Sequence, residues 1–169
     1  MNNERIINET INYGKSLIGV PYKPWGGNEI EKGEPMFAVN EPIPSKDEIK
    51  SCNCAGFLNL LHRFRNKKLP YNNSFIGGTD AYYYYYLSKS DDFNINTVYP
   101  KGTLIIKNFR DYKDQGHVAI IIEDKGKESI VLQSHFDEYV NGINMHYTLE
   151  ESHNNYDYEK IVLPDNWLI

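Results

Sequence analysis

The stretch KSCNCAGFLNLLHRF, residues 50–64, holds the only cysteines of a 169-residue chain, Cys52 and Cys54, one residue apart at the mouth of an apolar run. Such a pair can be a metal clip, two buried thiols, or a nucleophile with a bystander. Structural zinc takes wider cysteine spacing and a second pair of ligands elsewhere. With only His62 nearby, Cys-x-Cys is a poor match, and no metal is expected. The two cysteines are too close to bridge without strain, and the absence of a third excludes a disulfide framework. Cys54 stands where a helical pattern begins, so its sulfur meets unpaired backbone N–H groups and the positive end of the helix dipole, both of which favour the thiolate. The same N–H groups suit the oxyanion that forms when a thiolate adds to an amide. Gly56 would let a substrate backbone approach closely. The competing reading of Cys54 is a small buried apolar side chain.

A thiol nucleophile works with a base, and the base with a partner that orients it. His117 opens the run HVAIII directly after Gly116, at a sheet end that would present an imidazole to a cleft. Gln133 and His135 lie on the next β-type run and share a face because strand side chains alternate, so either could bond the His117 ring. A satisfied structural histidine is the alternative for His117. His62, His146 and His153 have no comparable setting.

The elements that must position these residues can be read from periodicity. Residues 3–18 form an amphipathic pattern through Ile7, Ile11, Leu17 and Ile18, closed by Gly19 and Pro21. A long irregular segment follows, anchored by Tyr22, Trp25, Met36 and Phe37; a loop of such length in a small domain is usually functional. A second helix runs from Cys54 to about Arg65, with a wide apolar face. A third begins at a Thr79 or Asp80 cap and carries Tyr82 to Tyr86, read as core and edge tyrosines in preference to a stacking platform. After Pro100 the period changes to short β-rich runs, GTLIIKNF, GHVAIIIED and SIVLQSHF, and EKIVLPDNWLI adds a strand that closes the sheet. Helices first and an antiparallel sheet after give an α+β plan in a single domain, 1–169.

Composition narrows the partners. A formal net charge of −5 argues against nucleic acid. No apolar stretch reaches the ~20 residues that span a bilayer, which argues against membrane attachment. The polar N-terminus has no signal-peptide core, and the free thiols fit a reducing compartment, so a cytoplasmic or other intracellular location is expected, with viral or phage delivery as another route.

Three segments taken together, GVPYKPWGG at 19–27, NCAGF at 53–57 and GHVAIII at 116–122, resemble the NlpC/P60 and CHAP group of papain-like cysteine peptidases and amidases. The stretch GTLIIKNFRDYKDQGHVAIIIED is similar to the amidase domain of glutathionylspermidine synthetase/amidase, a CHAP member. The resemblance covers roughly residues 11–140, with short motifs in the right order. It implies a papain-like NlpC/P60 fold, with N-terminal helices packed on an antiparallel sheet. It makes Cys54 the nucleophile, His117 the base and later acid, and Gln133 the residue that orients the histidine, with His135 as the alternative third position. Tyr22 matches the motif tyrosine that bonds substrate or oxyanion. The order Cys then His argues against the permuted, lecithin-retinol-acyltransferase-like relatives. The chain departs from the pattern at Asn53 for Asp, at Ala55 for Ser, at the third position, and in a longer loop between Gly27 and Cys54.

The expected function is that of a cofactor-free thiol hydrolase cleaving a peptide or isopeptide amide through a Cys54 thioester, with cell-wall-type peptides among its possible substrates. The alternatives are a deamidase or acyltransferase effector with the same residues, and an inactive binding module of the same fold. Glu29, Glu31 and Glu34 in the long loop raise the prospect of a cationic ligand, against the reading of a solvated loop.

Overall fold

Strand alternation decides what each face of the sheet meets. The computed structural model describes residues 2–27 and 33–169. In chain order its regular elements are α1 (Asn3–Ser16), α2 (Cys54–Phe64), the short pair β1 (Tyr71–Asn72) and β2 (Phe75–Ile76), α3 (Thr79–Tyr85), β3 (Asp91–Asp92), β4 (Leu104–Lys107), β5 (His117–Ile121), β6 (Val131–Phe136), β7 (Asn141–Asn144), α4 (Leu149–Tyr156), β8 (Lys160–Val162) and α5 (Pro164–Trp167). The large sheet is antiparallel throughout, in the order β3-β8-β4-β5-β6-β7. This is an α+β architecture. No helix among the described residues is long and apolar enough to cross a membrane.

Leu104, Ile106, Val118, Ile120 and Leu132 point to one face and pack with α1 and α2 side chains such as Ile11, Phe57 and Leu61. Ile105, Ala119, Ile121 and Val131 point to the other and pack with Leu149 and Tyr158 from the C-terminal part of the chain. The strands therefore read as continuous apolar runs because both faces are covered. The expected helices are present with shifted ends. Ile18 lies beyond α1 and is largely exposed, while its neighbour Leu17 takes the core position. Within α3, Tyr82 and Tyr86 (its C-cap) are buried and Tyr84 and Tyr85 exposed. The buried pair joins a polar network in which Tyr86 Oη donates to His62 Nε2 at 2.8 Å, His62 Nδ1–H donates to Leu58 O at 2.9 Å, and Tyr82 Oη donates to Asn59 Oδ1 at 2.9 Å. His62 thus has a defined structural place that sequence context did not signal.

Two expectations need correction. The C-terminal run does supply a strand, but β8 inserts between β3 and β4 and does not close an edge. Gly56 is not left open for substrate: a Cβ there would lie 2.0 Å from Pro35 O, because the chain's own loop crosses the first turn of α2. Asn53 N–H donates to the same Pro35 carbonyl at 3.2 Å, and Asn59 Nδ2 holds Met36 O at 2.8 Å. The long loop is therefore fastened to α2 at its N-cap and again in its second turn.

Replacing Gly56 with Ala should push this loop off the helix. We expect a loss of about 1–3 kcal/mol in urea unfolding, with the main chemical-shift changes near Pro35 and Met36.

Candidate active site

Cys54 is the first residue of α2. Asn53 caps that helix, its Oδ1 accepting the Gly56 N–H at 2.7 Å. The cysteine sulfur is met by the N–H groups of Val118, Ala55 and Cys54 itself. The first of these is explained by strand register. On β5 the odd-numbered N–H groups face β4, as Ile121 N–H to Thr103 O at 2.9 Å shows, and the even-numbered ones face β6, as Ile122 N–H to Ile130 O at 3.0 Å shows. The β5–β6 ladder stops at Ile120↔Leu132, and β6 continues with β7 from Gln133 onward. Val118, the next even residue, lies beyond that ladder, and its N–H is the first of the backbone donors that work to lower the Cys54 thiol. The segment before α2 fills the same split: Ser134 Oγ donates to Cys52 O at 3.0 Å, and Cys52 N–H donates to Pro21 O at 3.0 Å. Cys52 itself is fully buried, its Sγ 3.6 Å from Ser134 Oγ.

His117 is the first residue of β5. Gly116 before it turns at φ +72°, where a Cβ would lie 2.4 Å from Lys107 O, so only glycine fits this entry to the strand. Of the two expected partners, Gln133 makes the bond: His117 Nε2–H donates to Gln133 Oε1 at 2.7 Å. This fixes the tautomer and leaves Nδ1 with a free lone pair. Gln133 Oε1 also accepts from Ser152 Oγ of α4 at 3.4 Å, and Ser152 Oγ shares a hydrogen bond with Tyr158 Oη at 2.6 Å. No hydrogen bond joins the His117 ring to Cys54; His117 is the neighbour in sequence of Val118, whose N–H works to lower the Cys54 thiol.

His135 does not bond His117. The two rings stand edge to face with centroids 6.2 Å apart, and His135 uses Nδ1 on Tyr156 Oη and Nε2 on Asp137 Oδ2, the latter at 2.9 Å. Its role is one step removed. Tyr156, the last residue of α4, lies flat on the His117 imidazole at 3.7 Å and 3°. Asp137 anchors this chain of contacts. Partial burial works against its charge, but the Tyr147 hydroxyl, the N–H groups of Tyr139 and Val140 and the His135 ring hold its carboxyl well below the usual range. None of Tyr156, Asp137 or Ser152 was picked out from sequence. The available signal was Thr148-x-x-Glu151, which forms the capping box at the start of α4.

Tyr22 bridges to Cys52, lines the cleft beside Cys54, and has its hydroxyl pushed up by burial and then by the Cys54 and Cys52 sulfurs. The cleft has a volume of about 600 Å³ and lies between the loop at 36–41, the β1–β2 turn with the start of α3, and the wall formed by Trp25 and Phe109. Glu29 and Glu31 lie outside the described residues. The Glu34 carboxylate accepts from Lys50 N–H and from Ser51 Oγ of its own chain.

Burial sets the protonation of the site. It pushes the Cys54 thiol up to about 11, against the three backbone donors, and the His117 imidazole down to about 3, against the bond to Gln133. At neutral pH the resting pair is therefore thiol and imidazole, not the preformed thiolate expected from the helix start alone. The arrangement has the parts for general-base activation of a thiol, with backbone N–H groups around the reacting atom. No protein-family model matches the chain, and no curated protein resembles it at a significant level.

The same burial predicts a stability plateau. Below the ordinary histidine value of 6.5 the unfolded chain binds protons on His62 and His117 that the folded chain refuses until about 4 and about 3. Stability should then fall by about 1.4 kcal/mol per pH unit for each histidine. Above the ordinary thiol value of 9.0 it should fall again, because Cys52 and Cys54 stay protonated in the fold up to about 12 and about 11. Urea midpoints measured from pH 4 to 10 check this, and His62→Gln should halve the acid slope.

Proposed function

We propose that this protein is a papain-like thiol hydrolase of the NlpC/P60–CHAP type that cleaves an amide bond. The observation that carries the reading is the His117 Nε2–Gln133 Oε1 bond of 2.7 Å, which leaves Nδ1 bare on the residue next to the Val118 amide that meets the Cys54 sulfur. The order of the motifs around Tyr22, Cys54 and His117 supports it, as does the α+β plan with Cys54 at a helix start and His117 at a strand start.

His117 Nδ1 takes the thiol proton as the Cys54 sulfur bonds to the carbonyl carbon, which avoids a free charge on either buried group before substrate is present. The carbonyl oxygen becomes an oxyanion facing backbone N–H groups and the Tyr22 side of the cleft. The carbon–nitrogen bond breaks, and His117 passes its proton to the leaving amine. Water, deprotonated by His117, adds to the thioester; the carbon–sulfur bond breaks, the sulfur recovers the proton, and a carboxylic acid leaves. Gln133 keeps the ring oriented without adding charge, as an Asn does in related thiol enzymes.

A panel of acyl amides, with mass spectrometry of Cys54, tests this. The wild type should accumulate an acyl adduct on Cys54 and release amine; Cys54→Ala should do neither. His117→Ala should slow turnover about 10²–10⁴-fold. Ammonia release or amine exchange without net hydrolysis would move the reaction to deamidation or acyl transfer, and hydrolysis surviving in Cys54→Ala would end the proposal.

A further inference from the structure

The cleft above Cys54 has a chemical bias that folding does not account for. Its large lining side chains are Trp25, Met36, Val39, Phe75, Ile76 and Phe109. Phe75 and Ile76 are 48% and 42% exposed, on a two-residue strand that could have kept them in the core or carried polar residues instead. Four of the uncharged polar residues along the cleft are already engaged with their own chain, which leaves Tyr22 and Ser74. Asn53 Oδ1 holds Gly56 N–H at 2.7 Å, Asn40 Oδ1 holds Leu69 N–H at 3.0 Å, Thr79 Oγ donates to Gln115 O at 2.5 Å, and Gln115 Nε2 donates to Tyr112 O at 3.1 Å. The charged residues lining it are Glu41 and Asp80, and among the described residues no Lys, Arg or His joins them.

From these observations we infer that the cleft receives a large, uncharged, apolar group on the acyl side of the scissile bond, and turns away anionic acyl groups. The inference rests on the thiol-hydrolase reading of the same site and adds its substrate class. An apolar group fits because it asks for no hydrogen bonds where few are on offer, and it covers Phe75 and Ile76. A carboxylate-bearing acyl group would meet Glu41 and Asp80, while Arg63 beside Glu41 gives its guanidinium to the Glu41, Phe37 and Pro42 carbonyls and is not among the lining residues, so like-charge repulsion and desolvation both oppose it. The volume of about 600 Å³ suits a small ligand or an acyl residue with its neighbours.

Binding can be read without catalysis. In Cys54→Ala, Trp25 emission reports occupancy of the cleft, since the other tryptophan, Trp167, is buried and donates to Gly102 O. Octanamide and phenylacetamide should perturb this emission at concentrations about tenfold or more below succinamate, since burial of a pair of methylenes is worth that much. The tighter of the two separates an aliphatic from an aromatic preference, and Ile76→Asp in the same background should erase the advantage over succinamate. Equal or tighter binding of succinamate, or an advantage untouched by Ile76→Asp, overturns the assignment. In the wild type, the same ranking among hydrolysed amides supports it, and hydrolysis with no such ranking counts against it. Selective binding in Cys54→Ala with no hydrolysis by the wild type would sink the enzyme reading while leaving the cleft assignment standing.

Discussion

An antiparallel ladder that ends early leaves the next buried amide outside its pairing, and that constraint organises this protein. A buried N–H must be satisfied. Here the pairing of β5 with β6 ends at Ile120↔Leu132, and the helix start at Cys54 brings its sulfur toward the Val118 amide beyond that point. The rest follows from that early end. β6 turns to β7 for its remaining bonds, Ser134 ties the Cys52 backbone, and the side chains just beyond the ladder, His117 and Gln133, meet each other.

The site draws on two parts of the core. Cys54 belongs to the α1–α2 core, whereas the His117 ring sits under Tyr156 on the α4 side. Each component is buried, and burial acts on acids and bases in opposite senses, raising the thiol and lowering the imidazole. A pair held neutral in this way carries no standing charge in a low-dielectric setting. In the proposed reaction the charges would arise on the imidazolium and the carbonyl oxygen as the sulfur–carbon bond forms. The neutral Gln133 suits this state better than a carboxylate would, since a buried negative charge there would have to be desolvated as well.

Much of this was legible in the sequence where a local rule was strong. The helix starting at Cys54 was marked by its apolar face and by Asn53 at the cap, and the strands after Pro100 by their β-branched runs. The choice between Gln133 and His135 was not, because alternation puts both on one face and only the splay between strands decides which reaches His117. Gly56 was misread for a related reason: the need for close approach was visible, but the approaching group is Pro35 of the same chain. α4 was missed because its sequence, LEESHNNY, is polar and short, and only its capping box announces it. With it went Tyr156, whose part in the site depends on tertiary stacking that no sequence period encodes.

The late position of α4 and β8 divides the site along the chain. The sulfur comes from the first half of the chain, whereas the Tyr156 ring on the imidazole and the strand between β3 and β4 come from residues after 148. A chain cut short before residue 149 thus keeps the His117–Gln133 bond but lacks the tyrosine ring that lies on the imidazole. The second half of the chain therefore supplies both the imidazole and everything that bears on it.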